Sequence, residues 1–131
     1  MTALLTLFLL IASADRPGYL GFGFTMHSDS TTQWLIVRNV AAAGPADRAG
    51  LTSMDIITAI DGKPLRFRDD LEFLDFLARV RTGQRLRLSV VHKQKKETRT
   101  IQAGVMTDEA YERWQLNHKL ATRKRAAAFR A

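Results

Sequence analysis

The alternation of apolar and polar positions divides the chain into a series of short elements. Residues 2–14, TALLTLFLLIASA, form an uncharged run of about a dozen apolar residues, short for a bilayer crossing. The run ends Ala12-Ser13-Ala14, a small-residue pattern of the kind that precedes leader cleavage, although no Lys or Arg stands before it. Residues 1–14 are therefore expected to be a signal peptide or N-terminal apolar anchor; an apolar segment packed on the domain is the alternative. Residues 22–27 and 33–40 read as two antiparallel strands around a polar loop, with Leu35, Val37 and Val40 inward. Pro45 suits the first turn of a short helix and Gly50 its C-terminal cap, so that Leu51 plugs the core. A strand over 54–60 buries Ile56, Ile57 and Ile60, the Asp61-Gly62 turn follows, and residues 63–65 begin a short strand.

Asp69 or Asp70 caps a helix expected over 71–80. Phe73, Phe76, Leu77 and Val80 share one stripe, and Leu71, Leu74 and Ala78 form a second beside it. The second stripe is either a groove wall or part of a widely buried face. Residues 85–92 alternate with Leu86, Leu88 and Val90 inward; a polar turn is expected at 94–96 and a last strand at 97–103. From Thr107, a candidate N-cap, a helix runs to about Ala128, acidic in its first turn and basic toward its end.

Before all of this stands Gly18-Tyr19-Leu20-Gly21-Phe22-Gly23-Phe24. Glycines let backbone N–H groups turn sharply or approach a ligand, and converging N–H groups bind anions such as carboxylates. Taken alone, the stretch fits either a turn entering a strand or such a cradle.

Composition narrows the function. A 131-residue chain that is 46% hydrophobic supports one domain with appendages. It lacks cysteine, so disulfides and thiolate metal sites are excluded. His27, His92 and His118 are scattered, and neither HExxH nor GxSxG occurs, so no metal, cofactor or intrinsic enzymatic activity is expected. The pairs Asp69-Asp70 and Asp108-Glu109 sit at helix starts, where capping explains them. A net charge of +7 favours acidic partners.

Four ordered blocks then resemble a PDZ domain of the type attached to bacterial exported (HtrA-like) proteases: Tyr19-Leu20-Gly21-Phe22; residues 36–40 with 44–51; residues 55–64; and the helix with residues 83–88. Met54 departs from the pattern where the family usually has Gly, and Gly21-Phe22-Gly23-Phe24 offers a second register for the first block. The resemblance implies an α+β fold: a small, partly open antiparallel β-barrel or sandwich capped by two helices, here with an added C-terminal helix. It implies a domain over 15–104, leaving 105–131 as a basic amphipathic helix. It further implies that a peptide C-terminus adds as a strand beside residues 22–27. Its carboxylate would lie on the amides of Leu20, Gly21 and Phe22, within a site of Tyr19, Leu20, Gly21, Phe22, Gly23, Phe24, Leu71, Leu74 and Ala78, with Leu77 as the alternative to Ala78. The apolar walls imply a hydrophobic last residue. Arg16 is either an aid to the carboxylate or an ordinary surface residue. The expected protein is an exported, periplasmic or membrane-associated bacterial adaptor or regulatory domain. The alternatives are action on an anionic membrane surface through the basic helix, and a non-catalytic fragment of a protease. Residues 1–14 or 107–131 could also occupy the groove. Nucleic acid is disfavoured by the expected export.

Overall fold

A computed structural model describes residues 16–130. The expected leader at 1–14 lies outside the described residues. Six strands, β1 (Phe22–Ser28), β2 (Gln33–Val40), β3 (Ile56–Ile60), β4 (Lys63–Pro64), β5 (Arg85–His92) and β6 (Lys95–Gln102), form one antiparallel sheet. Its order is β1-β2-β3-β5-β6, with β4 pairing β3, so the sheet is open and β1 lies at an edge. Two helices, α1 (Pro45–Arg48) and α2 (Asp70–Ala78), cap it, and a long third helix, α3 (Asp108–Arg130), follows. This is the α+β architecture expected, with an added C-terminal helix. Among the described residues, no helix is long and apolar enough to cross a membrane.

The core joins Leu35 and Val37 of β2, Ile57 and Ile60 of β3, Leu86, Leu88 and Val90 of β5, Ile101 of β6 and Phe73 of α2. Two pairs depart from simple alternation. Val37 and Val40 both pack inward because the β1–β2 register slips at Gly23/Phe24, where Phe24 pairs with Val37 and Gly23 with Asn39. Ile57 and Ile60 are both buried because the β3–β5 register slips between Ile57 and Ala59. Each slip sets an extra residue against the partner strand and resets which face follows, as a β-bulge does. Ile56, expected inside, is only half-buried.

The turns follow backbone rules. Leu51 is buried directly after Gly50, whose φ of +87° ends α1. Asp61 and Gly62, with φ of 52° and 78°, close the β3–β4 hairpin. The turn expected at 94–96 is instead Lys93-Gln94, at φ 48° and 69°, with His92 paired to Lys95. Two consecutive left-handed residues match the twist of the flanking strands, so β6 begins at Lys95. Met54 adopts φ +76°, the conformation for which a glycine would ordinarily be chosen. The turn shape is thus kept, at the cost of strain.

Candidate peptide-binding groove

The glycine-rich stretch runs from the base of the sheet into β1. Three successive carbonyls are engaged: Tyr19 O accepts from Gly104 N at 2.8 Å, Leu20 O from Ala46 N at 3.0 Å, and Gly21 O from Ala41 N at 2.9 Å. Two further donors, Gly18 N to Val80 O and Tyr19 N to Gly104 O, hold its start. The N–H groups of Leu20 and Gly21 have no acceptor among the described residues. The Ala41–Gly21 bond also sets the ladder phase. Phe22 and Val40 then form the non-hydrogen-bonded pair, and the Phe22 backbone groups point to the free edge of β1. Gly21 sits at φ +78°, with Pro45 Cδ 3.2 Å from where a Cβ would stand.

Across from β1 lies α2. The rings of Phe24 and Phe73 meet edge to face at 4.8 Å, Phe67 and Phe73 at 5.0 Å, and Phe22 and Phe24 lie 6.5 Å apart. This aromatic chain ties strand to helix and sets the spacing between them. Between them opens a groove of ≈ 670 Å³. Tyr19, Leu20, Gly21, Phe22, Gly23 and Phe24 line it from one side, and Asp70, Leu74 and Leu77 from α2.

Of the expected α2 wall, Leu74 lines the groove and Leu71 and Ala78 do not. Leu71 is buried and Ala78 half-buried. They share a helix face with Asp75 (spacing i, i+4, i+7), and Asp75 pairs with His118 of α3 at 2.8 Å. That face is therefore turned toward α3, and Leu77 takes the groove position considered for Ala78.

α3 adds lining residues that the family resemblance does not imply, and it sets part of 107–131, one of the segments considered as an occupant of the groove, along its side. Ala110, Arg113, Trp114, Asn117, Ala121 and Lys124 line the same groove. With Leu120, which also lines the groove, their spacing of three and four marks one helix face, in which Trp114 and Leu120 are interrupted by small, polar and charged residues, so that no continuous apolar stripe announces it. Acidic residues of α2 fix the helix in place. Arg125 forks onto Asp69 at 2.7 and 2.6 Å, Lys124 reaches Asp70 at 3.5 Å, and His118 meets Asp75. The Arg125 hydrogen bonds pull the Asp69 carboxyl from 3.8 down to about 2, with burial opposing. Asp69 also caps α2 by accepting from Glu72 N at 3.0 Å. At the other end, Arg16 pairs with Asp108 at 2.7 Å, donates to Met106 O and lies over the Tyr111 ring. Arg16 thus anchors the start of α3 and not the glycine-rich loop. Trp114 stacks between Tyr111 and His118, and its buried indole N–H has no acceptor among the described residues.

One cluster away from the groove resembles catalytic machinery. Asp55 Oδ1 and Thr52 Oγ1 lie 2.5 and 3.3 Å from His92 Nδ1. Both contact the same ring nitrogen, whereas a nucleophile relay needs the hydroxyl and the carboxylate on opposite nitrogens. Asp55, buried, also accepts from Thr52 N, so the cluster serves to close the turn before β3.

A family model for the PDZ domain matches residues 18–103. A curated relative, the probable periplasmic serine endoprotease DegP-like of Pseudomonas savastanoi pv. phaseolicola (strain 1448A / Race 6), is 30% identical over 77 residues, covering 59% of this chain and 16% of that protein. Among solved structures, the HtrA-type protease AlgW with tripeptide matches at 26% identity and TM-score 0.57, over 70% of this chain and 32% of that one. The S227A form of AlgW with decapeptide matches at 25% identity and TM-score 0.58, over 70% and 30%. The chain thus spans less than a third of each of these proteins.

Proposed function

The chain belongs to the PDZ domain family, and we propose that it is a peptide-binding module that captures the free C-terminus of an extended chain along β1. The observation that carries this reading is the polarity of the glycine-rich loop. Its three carbonyls are bonded inward, while the N–H groups of Leu20 and Gly21 are left without acceptors beside the free edge of β1. A carboxylate is the natural complement to two such donors, and hydrogen bonds to an ionised acceptor are stronger than neutral ones. The ligand backbone would add to β1 as a further antiparallel strand. Its last side chain would enter the space among Leu20, Phe22, Phe24, Leu74 and Leu77, which is apolar throughout and favours a hydrophobic residue.

The solved relatives named above hold a tripeptide and a decapeptide, which accords with this reading. We place the protein in an exported, periplasmic setting, as the DegP-like relative's name states for that protein, with 1–14 as leader or anchor, 15–104 as the domain and 105–131 as its appended helix. There it acts as an adaptor or as the regulatory module of a protease, and the binding step itself involves no chemistry.

The test compares peptides ending in a free carboxylate with the same peptides amidated, by fluorescence anisotropy against the full chain. Loss of one charge-assisted site is expected to weaken binding about tenfold or more. Equal affinity for the two forms would refute the carboxylate assignment.

A further inference from the structure

The groove has three sides. β1 and α2 form two, and α3 lies along the third, with apolar Trp114 and Leu120 and the polar or charged Arg113, Asn117 and Lys124 among the residues lining it. Open space remains between the three, so α3 lines the groove and does not fill it. The helix runs with the groove: its start is pinned beside Tyr19 and Gly104 through Arg16, and its far part lies against the N-terminus of α2 through Asp70–Lys124 and Asp69–Arg125.

Length shows what this adds. From Ala110 to Lys124 the helix rises about 21 Å, enough to follow about six residues of an extended ligand. The nine residues of α2 span about 14 Å, or about four ligand residues. Because Lys124 meets Asp70 at the N-terminus of α2, the two helices end level with one another, and α3 closes from a third side the ligand positions that β1 and α2 flank.

The charges along this groove are uneven. Arg38, Arg113 and Lys124 are cationic, and Asp70 is the one acid among the described lining residues. Asp70 is already answered by Lys124 at a loose 3.5 Å, and the Glu109 partner of Arg113 stands 3.9 Å away, both pairs largely exposed. Contacts of that kind are weak and readily exchanged. The lining side chains thus carry three cations against one acid, and the two cations of α3 are held only by these long contacts.

We propose that α3 is a specificity wall of the peptide groove, and that Arg113 and Lys124 select ligands bearing acidic side chains upstream of a hydrophobic C-terminus. The inference rests on the groove reading above and adds the class of sequence it takes. Arg113, nearer the loop, meets residues close to the terminus, and Lys124, beside Asp70 at the start of α2, meets those about four residues before it.

The test uses the full chain and three peptides that share their last two residues and carry Glu, Ser or Lys at the preceding positions. The Glu peptide is expected to bind about three- to tenfold tighter than the Ser peptide, and the Lys peptide weaker still. In the double variant Arg113→Gln, Lys124→Gln the three are expected to converge. If the double variant melts lower than the parent, Arg113→Gln alone carries the comparison, because among the described residues the one ion pair of Arg113 is a long contact with Glu109. Persistence of the Glu preference in the variants, or its absence in the parent, would overturn the inference and leave the groove reading intact. Peptides that bind no better than their amidated forms would instead remove the groove reading itself.

Discussion

At the scale of single residues, backbone conformation fixes what side chains can do. Gly21 and Met54 both occupy the left-handed region, one with the residue that suits it and one without. A side chain there costs about 1–2 kcal/mol. Gly21→Ala is accordingly expected to lower stability by about 1–2 kcal/mol and to weaken peptide binding as well, since the Pro45 contact would push the loop. Met54→Gly should instead raise stability by about 0.5–1 kcal/mol, the relieved strain less the entropy that Gly adds to the unfolded chain. Met54 is exposed and does not itself line the groove, and its contact with the lining is a long one from Arg38 Nη1 to its sulfur, so affinity should change little. Urea unfolding with parallel anisotropy titrations reads both variants. The role of Gly21 was visible in the sequence as a glycine between a tyrosine and two phenylalanines. Which N–H groups would be left without acceptors was not, because that depends on Ala41, Ala46 and Gly104, all distant in the chain.

At the scale of elements, the decisive contact is α2 against α3. The apolar stripe of α2 was legible from its spacing, but its orientation was not: Leu71 and Ala78 turned out to face α3, and Leu77 the groove. Helical periodicity says which residues share a face and not what covers it. The helix pair also carries a pH dependence. The Asp69 carboxyl, held at about 2 by Arg125 against an ordinary 3.8, titrates lower in the folded state than in the unfolded one. Its contribution is therefore complete above about pH 4–5 and is lost as pH falls toward 2. Asp69→Asn keeps the cap acceptor and removes the charge. The variant is expected to melt lower than the parent at pH 7 and to converge on it near pH 2. A constant gap in melting temperature between pH 7 and pH 2 would contradict this account of the pair.

At the scale of the whole molecule, the charge of +7 has a different use from the one it first suggests. A basic helix at the end of a chain reads as a surface for lipid headgroups. In the folded protein, Lys124 and Arg125 face Asp70 and Asp69, so part of the helix's own positive charge is answered by α2 and its cap. Association with anionic vesicles is then expected to be weak and to disappear near 0.15 M salt, where the Debye length is about 8 Å. Cosedimentation that survives such salt would return the membrane surface to consideration as a partner.

The sequence by itself determined the order and kind of the elements, the turns at Gly50 and Asp61-Gly62, and the family. These follow from local propensity, hydrophobic period and residues with special backbone freedom, all of which are written within a few positions of one another. The tertiary structure decided the two bulges that return Val40 and Ile60 to the core, the face that α2 gives the groove, and the third wall made by α3. Those depend on partners about a dozen to nearly sixty residues away in the chain, for which no local pattern carries a signal. The glycine-rich loop belongs to both: its residue types announce a close backbone approach, and only the bonds from Ala41, Ala46 and Gly104 decide which of its N–H groups are left to meet a ligand.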